Sequence, residues 1–384
     1  MLLRLTRRNL MVMAAALMLG GCHYDSKLSE ISDEARRLAD SLIIFDNSAI
    51  DKLVPTTRSL LSDHTGSMGV WGWQTTKDGQ VGCLFFNTEV TFDPILRKWT
   101  YYPPKYWSDS STYRFYAYAP LDVTVPGTTV SIIDSTGLIS ISGITLNGCN
   151  VMKDQARTST TSNFSNVDDV DWMIARGGKN IGINDRSRVD FLMQHILAKF
   201  NVVVKPAGTL ASGKPRLVID SLTIKGFRSK GDFTQLLDHK PVAGNPEDRD
   251  ILDLEWKIDS TAPLFDLYAT KGAAVPVGGC YVIESLMLPQ TLKGNHNIVD
   301  LTFSLHYSDG HAERFVHQFD LDNDSVKVPL EKLMGSTNHT LTINIEPRAI
   351  TFDATSTDWY YSQQDTIQIK TGYDDEENQD QTGD

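Results

Sequence analysis

LTFSLHYSDGHAERFVHQF, Leu301–Phe319, consists of two alternating apolar–polar runs joined through Asp309-Gly310. Successive side chains of a strand point to opposite faces, so Leu301, Phe303 and Leu305 share one face. Asp-Gly between two such runs signals a hairpin, because glycine takes the positive φ that a tight turn requires. Short β-prone runs bounded by Gly, Pro, Asn or Asp recur on both sides of it. Towards the N-terminus they are Val70–Trp73, Cys83–Phe86, Arg97–Tyr102, Tyr113–Tyr118, Val130–Ile133, Leu138–Ile144, Leu217–Ile224, Ile251–Ile258 and Gly279–Ile283. Thr340–Ile345 and Thr366–Ile369 follow it. Ser29–Asp40 reads as a short helix. Phe191–Val204 is mixed: Leu192, His195, Ile196 and Lys199 keep helical spacing, whereas Phe200–Val204 favours a strand. The expected class is all-β with few short helices, folded as two tandem β-sandwiches. The boundary is expected near Asn184 to Arg188, giving sandwiches over 59–186 and 187–370.

The chain has 384 residues, of which 41% are hydrophobic, enough to bury two cores. Its net charge of −12 argues against nucleic acid or anionic lipid as a partner. Six acidic residues and no basic one follow Lys370, so 371–384 reads as a solvated acidic tail. Cys83, Cys149 and Cys280 have no metal-site spacing, and either one disulfide or three buried thiols fits them.

The N-terminus carries an export signal: Arg4, Arg7 and Arg8, an apolar run from Leu10 to Leu19, then Gly20-Gly21. The run is too short to span a bilayer, which needs about 20 residues. Leu19-Gly20-Gly21-Cys22 resembles the lipobox of bacterial lipoproteins. That resemblance implies removal of residues 1–21, acylation of Cys22 and a chain tethered from outside the cytoplasm.

Five segments, read in order, resemble the fimbrillin family, the lipoprotein pilins of Gram-negative anaerobes that build type V pili. They are Thr57-Arg58 with Gly69–Trp73; Trp99–Tyr101 through Pro104–Trp107 to Phe115–Pro120; Asp171–Ala175; Val189–Phe191 with His195; and Leu341–Ile345 with Ile350–Phe352 and Trp359. The resemblance implies transthyretin-like sandwiches and no enzymatic activity. It also implies a surface-exposed outer-membrane lipoprotein that enters the fimbrium after a trypsin-like protease cuts the N-terminal segment. The matching cleavage site is Arg58, before Ser59. The propeptide is 22–58, and its removable strand is Leu42, Ile43, Ile44 and Phe45, with Leu53-Val54 as a further apolar pair. A strand from another subunit then fills the groove by strand addition. Ile367 and Ile369 mark the candidate donor strand. A tip or accessory subunit, or a permanently anchored lipoprotein that binds a host glycan or protein, is the alternative.

Other constellations carry less. Asp320, Asp322, Asp324 and Glu331 match EF-hand spacing, but Ser325 stands where the loop needs glycine and the flanks read as strands. His306, His311 and His317 surround the hairpin turn without a further ligand, and His195 reads as a core or edge histidine. No metal, cofactor or nucleophile motif stands out. In the aromatic run from Trp99 to Tyr118, one alternate set must face a core. Tyr106 and Trp107, beside the turn, are the candidate glycan contacts.

Overall fold

A computed structural model of the chain describes residues 41–46, 67–93, 98–108, 110–121, 125–133, 138–146, 169–175, 179–181, 188–191, 193–235, 254–292, 297–321 and 330–358. Its strands begin with β1 (Phe45–Asp46), β2 (Ser67–Thr75), β3 (Val81–Asp93), β4 (Lys98–Thr100), β5 (Thr112–Ala119), β6 (Thr129–Ile133), β7 (Leu138–Thr145), β8 (Met173–Ala175) and β9 (Lys179–Ile181). There follow β10 (Val189–Asp190), β11 (Met193–His195), β12 (Ala198–Pro206), β13 (Arg216–Arg228), β14 (Lys230–Gln235), β15 (Leu254–Ile258) and β16 (Leu264–Ala274). Last come β17 (Cys280–Met287), β18 (Gln290–Thr291), β19 (Ile298–His306), β20 (Ala312–Asp320), β21 (Lys332–Leu333), β22 (Thr337–Ile345) and β23 (Ile350–Asp358). The helical element among the described residues is a 3₁₀ turn, Gly208–Ser212. The molecule is all-β, as its turn-punctuated alternation requires. The helix expected over Ser29–Asp40 lies outside the described residues.

Four sheets make two sandwiches. Sheet I has the order β11-β8-β5-β2-β3-β4, with β9 also paired to β5, and sheet II is β15-β14-β7-β6. Between them lie Trp71, Tyr116, Tyr118, Ile139, Ile141, Ile174 and Phe233. Sheet III, β17-β12-β22-β23, and sheet IV, β16-β13-β19-β20, enclose the second core, which includes Phe200, Val202, Leu222, Phe227, Phe303, Leu341 and Ile343. Each such buried side chain contributes about 1.5–3 kcal/mol. β22 shows the cause of this layering: Thr337, His339, Leu341, Ile343 and Ile345 are buried, and the residues between them are half-buried. That is the period of two read from Leu341–Ile345.

Phe191–Val204 resolves into strands rather than a helix. β12 pairs in parallel with β22 and antiparallel with β17, so its Val-rich run is covered on both sides. His195, 2% exposed, brings ring Nδ1 to 2.9 Å from Asp171 Oδ1 and is a core histidine. The hairpin at Asp309-Gly310 forms as expected: β19 and β20 pair antiparallel from Ile298↔Asp320 to His306↔Ala312, and Gly310 has φ +87°.

A boundary near 186/187 does not separate the sheets. β13 in sheet IV runs through Ser229 into β14, which pairs with β7 in sheet II. Residues 230–258 follow that boundary in sequence, yet their hydrogen bonds place β14 and β15 in the first sandwich. Strands that change sheets at a bend make such corners. The buried Ser229 holds the bend, accepting at its carbonyl from Leu146 N (2.8 Å) and donating Oγ to Pro263 O (2.6 Å).

One core group is sensitive to acid. His339 is fully buried; its Nε2 accepts from Met334 N (2.9 Å), so Nδ1 carries the proton and donates to Ser356 Oγ (2.8 Å). Burial pushes its pKa from 6.5 down to about 4. Above pH 6.5 the ring is neutral in both folded and unfolded chains, and its full contribution is present. As pH falls from 6.5 towards 4 only the unfolded chain takes up the proton, so stability is lost, roughly 2 kcal/mol by pH 5. Urea unfolding at pH 7 and pH 5 should show that extra loss in the wild type and not in His339→Gln.

Candidate functional site

The chain divides into two compact units, and the expected removable strand contributes to both. In the small unit, among the described residues, 41–43 meets 104–108. Leu42 bridges Tyr106 antiparallel, Ile43 N donates to Lys105 O (2.9 Å), and Trp107 N donates to Ser41 O (2.6 Å). In the large unit, β1 lies parallel to β10, with Phe45 opposite Val189, and Val189 N donates to Ile44 O (2.9 Å). Ile43 and Phe45 are buried while Ile44 is 37% exposed, so Ile43–Phe45 alternates as a strand does.

Phe45 is the anchor within the large unit. Its ring centroid lies 5.2 Å from Phe85, 5.4 Å from Tyr101 and 5.7 Å from Phe115, all edge-on. It stacks on Phe191 at 5.7 Å. Such separations suit aromatic pairs, each adding about 0.5–1.5 kcal/mol beyond buried area. The seat comes from β3, β5 and the segments after β4 and β10. Phe85 and Phe115 are both 0% exposed.

Sheet I is therefore covered on both faces at β5. Along β5, Tyr113 and Phe115 lie on the Phe45 side, while Tyr116 and Tyr118 join the core shared with sheet II. The expectation that one alternate set of this aromatic run faces a core is exceeded, since both sets do. Gly72 on β2 makes the Phe45 side possible. A Cβ there would fall 2.8 Å from Phe115 Cδ1 and 2.9 Å from Phe85 Cδ2, inside contact distance of both seat rings. Gly72→Ala should cost about 1–3 kcal/mol through overpacking, read as a lower urea midpoint.

The strand that holds Phe45 is only two residues long and its ladder is correspondingly short. Within the large unit, burial of the Phe45 ring adds to that short backbone pairing. Withdrawing the segment would uncover the rings of Phe85, Tyr101, Phe115 and Phe191 together with the paired edge of β10. An apolar trough beside a strand edge suits an extended partner with alternate apolar side chains.

Cys22, Arg58, Ser59, Ile367 and Ile369 lie outside the described residues. The glycan candidates separate: Tyr106 is 42% exposed, but Trp107 is 6% exposed and offers no open ring face for a sugar. The sequence missed that burial because both neighbours read equally as turn aromatics. Asp322 and Asp324 also fall outside the described residues, and the described ones contain no cluster of three metal-ligating side chains. Cys83 is exposed and Cys280 buried, and burial pushes the Cys280 thiol up to about 11. Sequence reading did not assemble Phe85, Tyr101, Phe115 and Phe191 into a site, although Phe115 and Val189–Phe191 were among the segments that carried the family resemblance.

A family model described as fimbrillin-like matches residues 58–359. Among solved structures, the chain is similar to a fimbrial protein from Bacteroides vulgatus, at 17% identity and TM-score 0.55, covering 83% of this chain and 99% of that one. It is also similar to the tip fimbrial protein Mfa3 from Porphyromonas gingivalis, at 8% identity and TM-score 0.31, covering 83% of this chain and 99% of that one. No curated protein matches. The first of these likenesses establishes a shared fold.

Proposed function

The chain belongs to the fimbrillin-like family, and from that membership we propose that it is a pilus subunit assembled by exchange of the segment that carries Phe45. As a fimbrillin-like chain it is a structural protein and not an enzyme. The observation that carries the proposal is the seat of Phe45. A single buried ring on a two-residue strand plugs a trough of four aromatic side chains.

The segment bearing Phe45 precedes residues 58–359, the part of the chain that the family model matches. In the proposed sequence of events the chain is exported, acylated at Cys22 and held at the outer membrane. A trypsin-like protease then cuts after Arg58, and Ser59 becomes the new N-terminus. Before the cut, the tether holds Phe45 at an effective concentration of about millimolar, because a short linker joins it to the rest of the chain. After the cut, residues 22–58 are a separate peptide that dilutes once it leaves. The seat is then open to a strand from another subunit, for which Ile367 and Ile369 supply alternate apolar side chains. Two sandwich domains, the first completed by β14 and β15 from beyond residue 187, and an acidic tail over 371–384 make up the proposed mature subunit.

N-terminal sequencing of the surface-assembled protein tests this reading. A chain that begins at Ser59 supports it. An assembled chain that begins at lipid-bearing Cys22 overturns protease-driven exchange and leaves a permanently anchored lipoprotein.

A further inference from the structure

A cleft of about 600 Å³ opens at one end of sheet IV, where β13 begins and the β19–β20 hairpin turns. Lys214, Pro215, Arg216, His306, Tyr307 and Ser308 line it, with Gly213 at its edge and no carboxylate among the lining residues. Arg216 and His306 are register partners on adjacent strands, which sets their side chains side by side. Gly213, at φ +77°, closes the 3₁₀ turn that leads into Lys214.

The charges distinguish this end of the sheet. Elsewhere on sheet IV, Lys225 pairs with Asp300 (2.5 Å), Arg314 lies 3.7 Å from Asp220, and the Arg228 guanidinium donates to Ser260 O (3.0 Å). Among the described residues, neither Lys214 nor Arg216 has an acidic partner. Two uncompensated cations thus face one cleft on a chain whose net charge is −12. The aromatic wall is held in place. Tyr307 donates its hydroxyl to Glu313 Oε2 (3.1 Å), and its ring stacks with His311 at 5.7 Å. The hairpin loop is closed by Tyr307 N donating to His311 O (2.9 Å) and His311 N to Asp309 Oδ1 (2.9 Å).

We propose that this cleft binds an anionic sugar residue, whose carboxylate or sulfate meets Lys214 and Arg216 while its ring lies against Pro215 and Tyr307. The guanidinium fork matches a carboxylate or sulfate bidentately, and lysine adds a point charge. The volume falls within the range of small-ligand sites and exceeds what a bare anion fills. A pyranose presents an apolar C–H face to the wall and hydroxyls to Ser308 and His306. It is also rigid, so it loses less freedom on binding than an acidic peptide of similar charge. The inference does not depend on strand exchange.

Titration calorimetry on the purified full chain tests it with four probes: trigalacturonate, sialyllactose, a sulfated chondroitin disaccharide and neutral lactose. At least one anionic saccharide should bind, more weakly as salt rises, and lactose should not. Carboxylate and sulfate sources are told apart by which probes bind. Lys214→Ala and Arg216→Ala should each weaken binding by about tenfold, as the loss of one charge-assisted hydrogen bond implies. Lys257→Ala, which removes the same charge from β15, should leave binding unchanged. Equal binding of lactose, no binding of any anionic probe, or cleft variants that bind like the wild type while remaining folded would each overturn the assignment.

Discussion

Phe45→Ala is expected to lower the stability of the uncut chain by about 3–5 kcal/mol, the cost of removing a fully enclosed aromatic side chain. Phe45 is 2% exposed and touches four other rings, so little collapse is available to refill its space. The measurement is urea unfolding in an Arg58→Ala background, which keeps the segment attached. In chains cut after Arg58 and freed of residues 22–58, the difference between wild type and Phe45→Ala should vanish. A loss below about 1 kcal/mol in the uncut chain would mean that the seat does not depend on this ring. Phe115→Ala should be non-additive with Phe45→Ala by about 0.5–1.5 kcal/mol, because the two rings are in direct contact.

Arg58→Ala is expected to abolish assembly. The uncut chain should accumulate with its N-terminus at Cys22, and high-mass polymer should disappear from unheated gels. Arg58→Lys should restore both cutting and polymer, since a trypsin-like protease accepts either cation. Cutting at Arg36-Arg37 instead would leave Phe45 attached and should not rescue assembly. The physical basis is the loss of the tether. A peptide released from about millimolar effective concentration into dilute solution no longer competes with an incoming strand. Polymer formed by Arg58→Ala chains of unchanged N-terminus would end the exchange mechanism for this protein.

Wherever local chemistry decides, the sequence is a sufficient guide. Asp309-Gly310 specifies its turn because Gly310 alone must take φ near +87°, and the runs beside it alternate with the period of the pleat. Thr337–Ile345 buries every second residue, as its spelling implies. The short run Phe200–Val204 outweighs the helical spacing of Leu192, His195, Ile196 and Lys199. Tertiary pairing on both sides of β12 rewards β-branched side chains. Within the seat, the sequence marks Phe115 and Val189–Phe191 as notable without saying what they enclose.

The sequence by itself determined that this chain is all-β, where its hairpin turns, and which residues face inward along its regular strands. Only the tertiary structure decided that β14 and β15 complete the first sandwich, that β12 lies parallel to β22, that Trp107 is covered while Tyr106 is open, and that Phe45 is enclosed by Phe85, Tyr101, Phe115 and Phe191. The division has a physical reason. Turn conformation and side-chain alternation are properties of neighbouring residues, whereas which apolar face meets which is a choice among chemically similar surfaces far apart in the chain, settled by shape and packing when the sheets close.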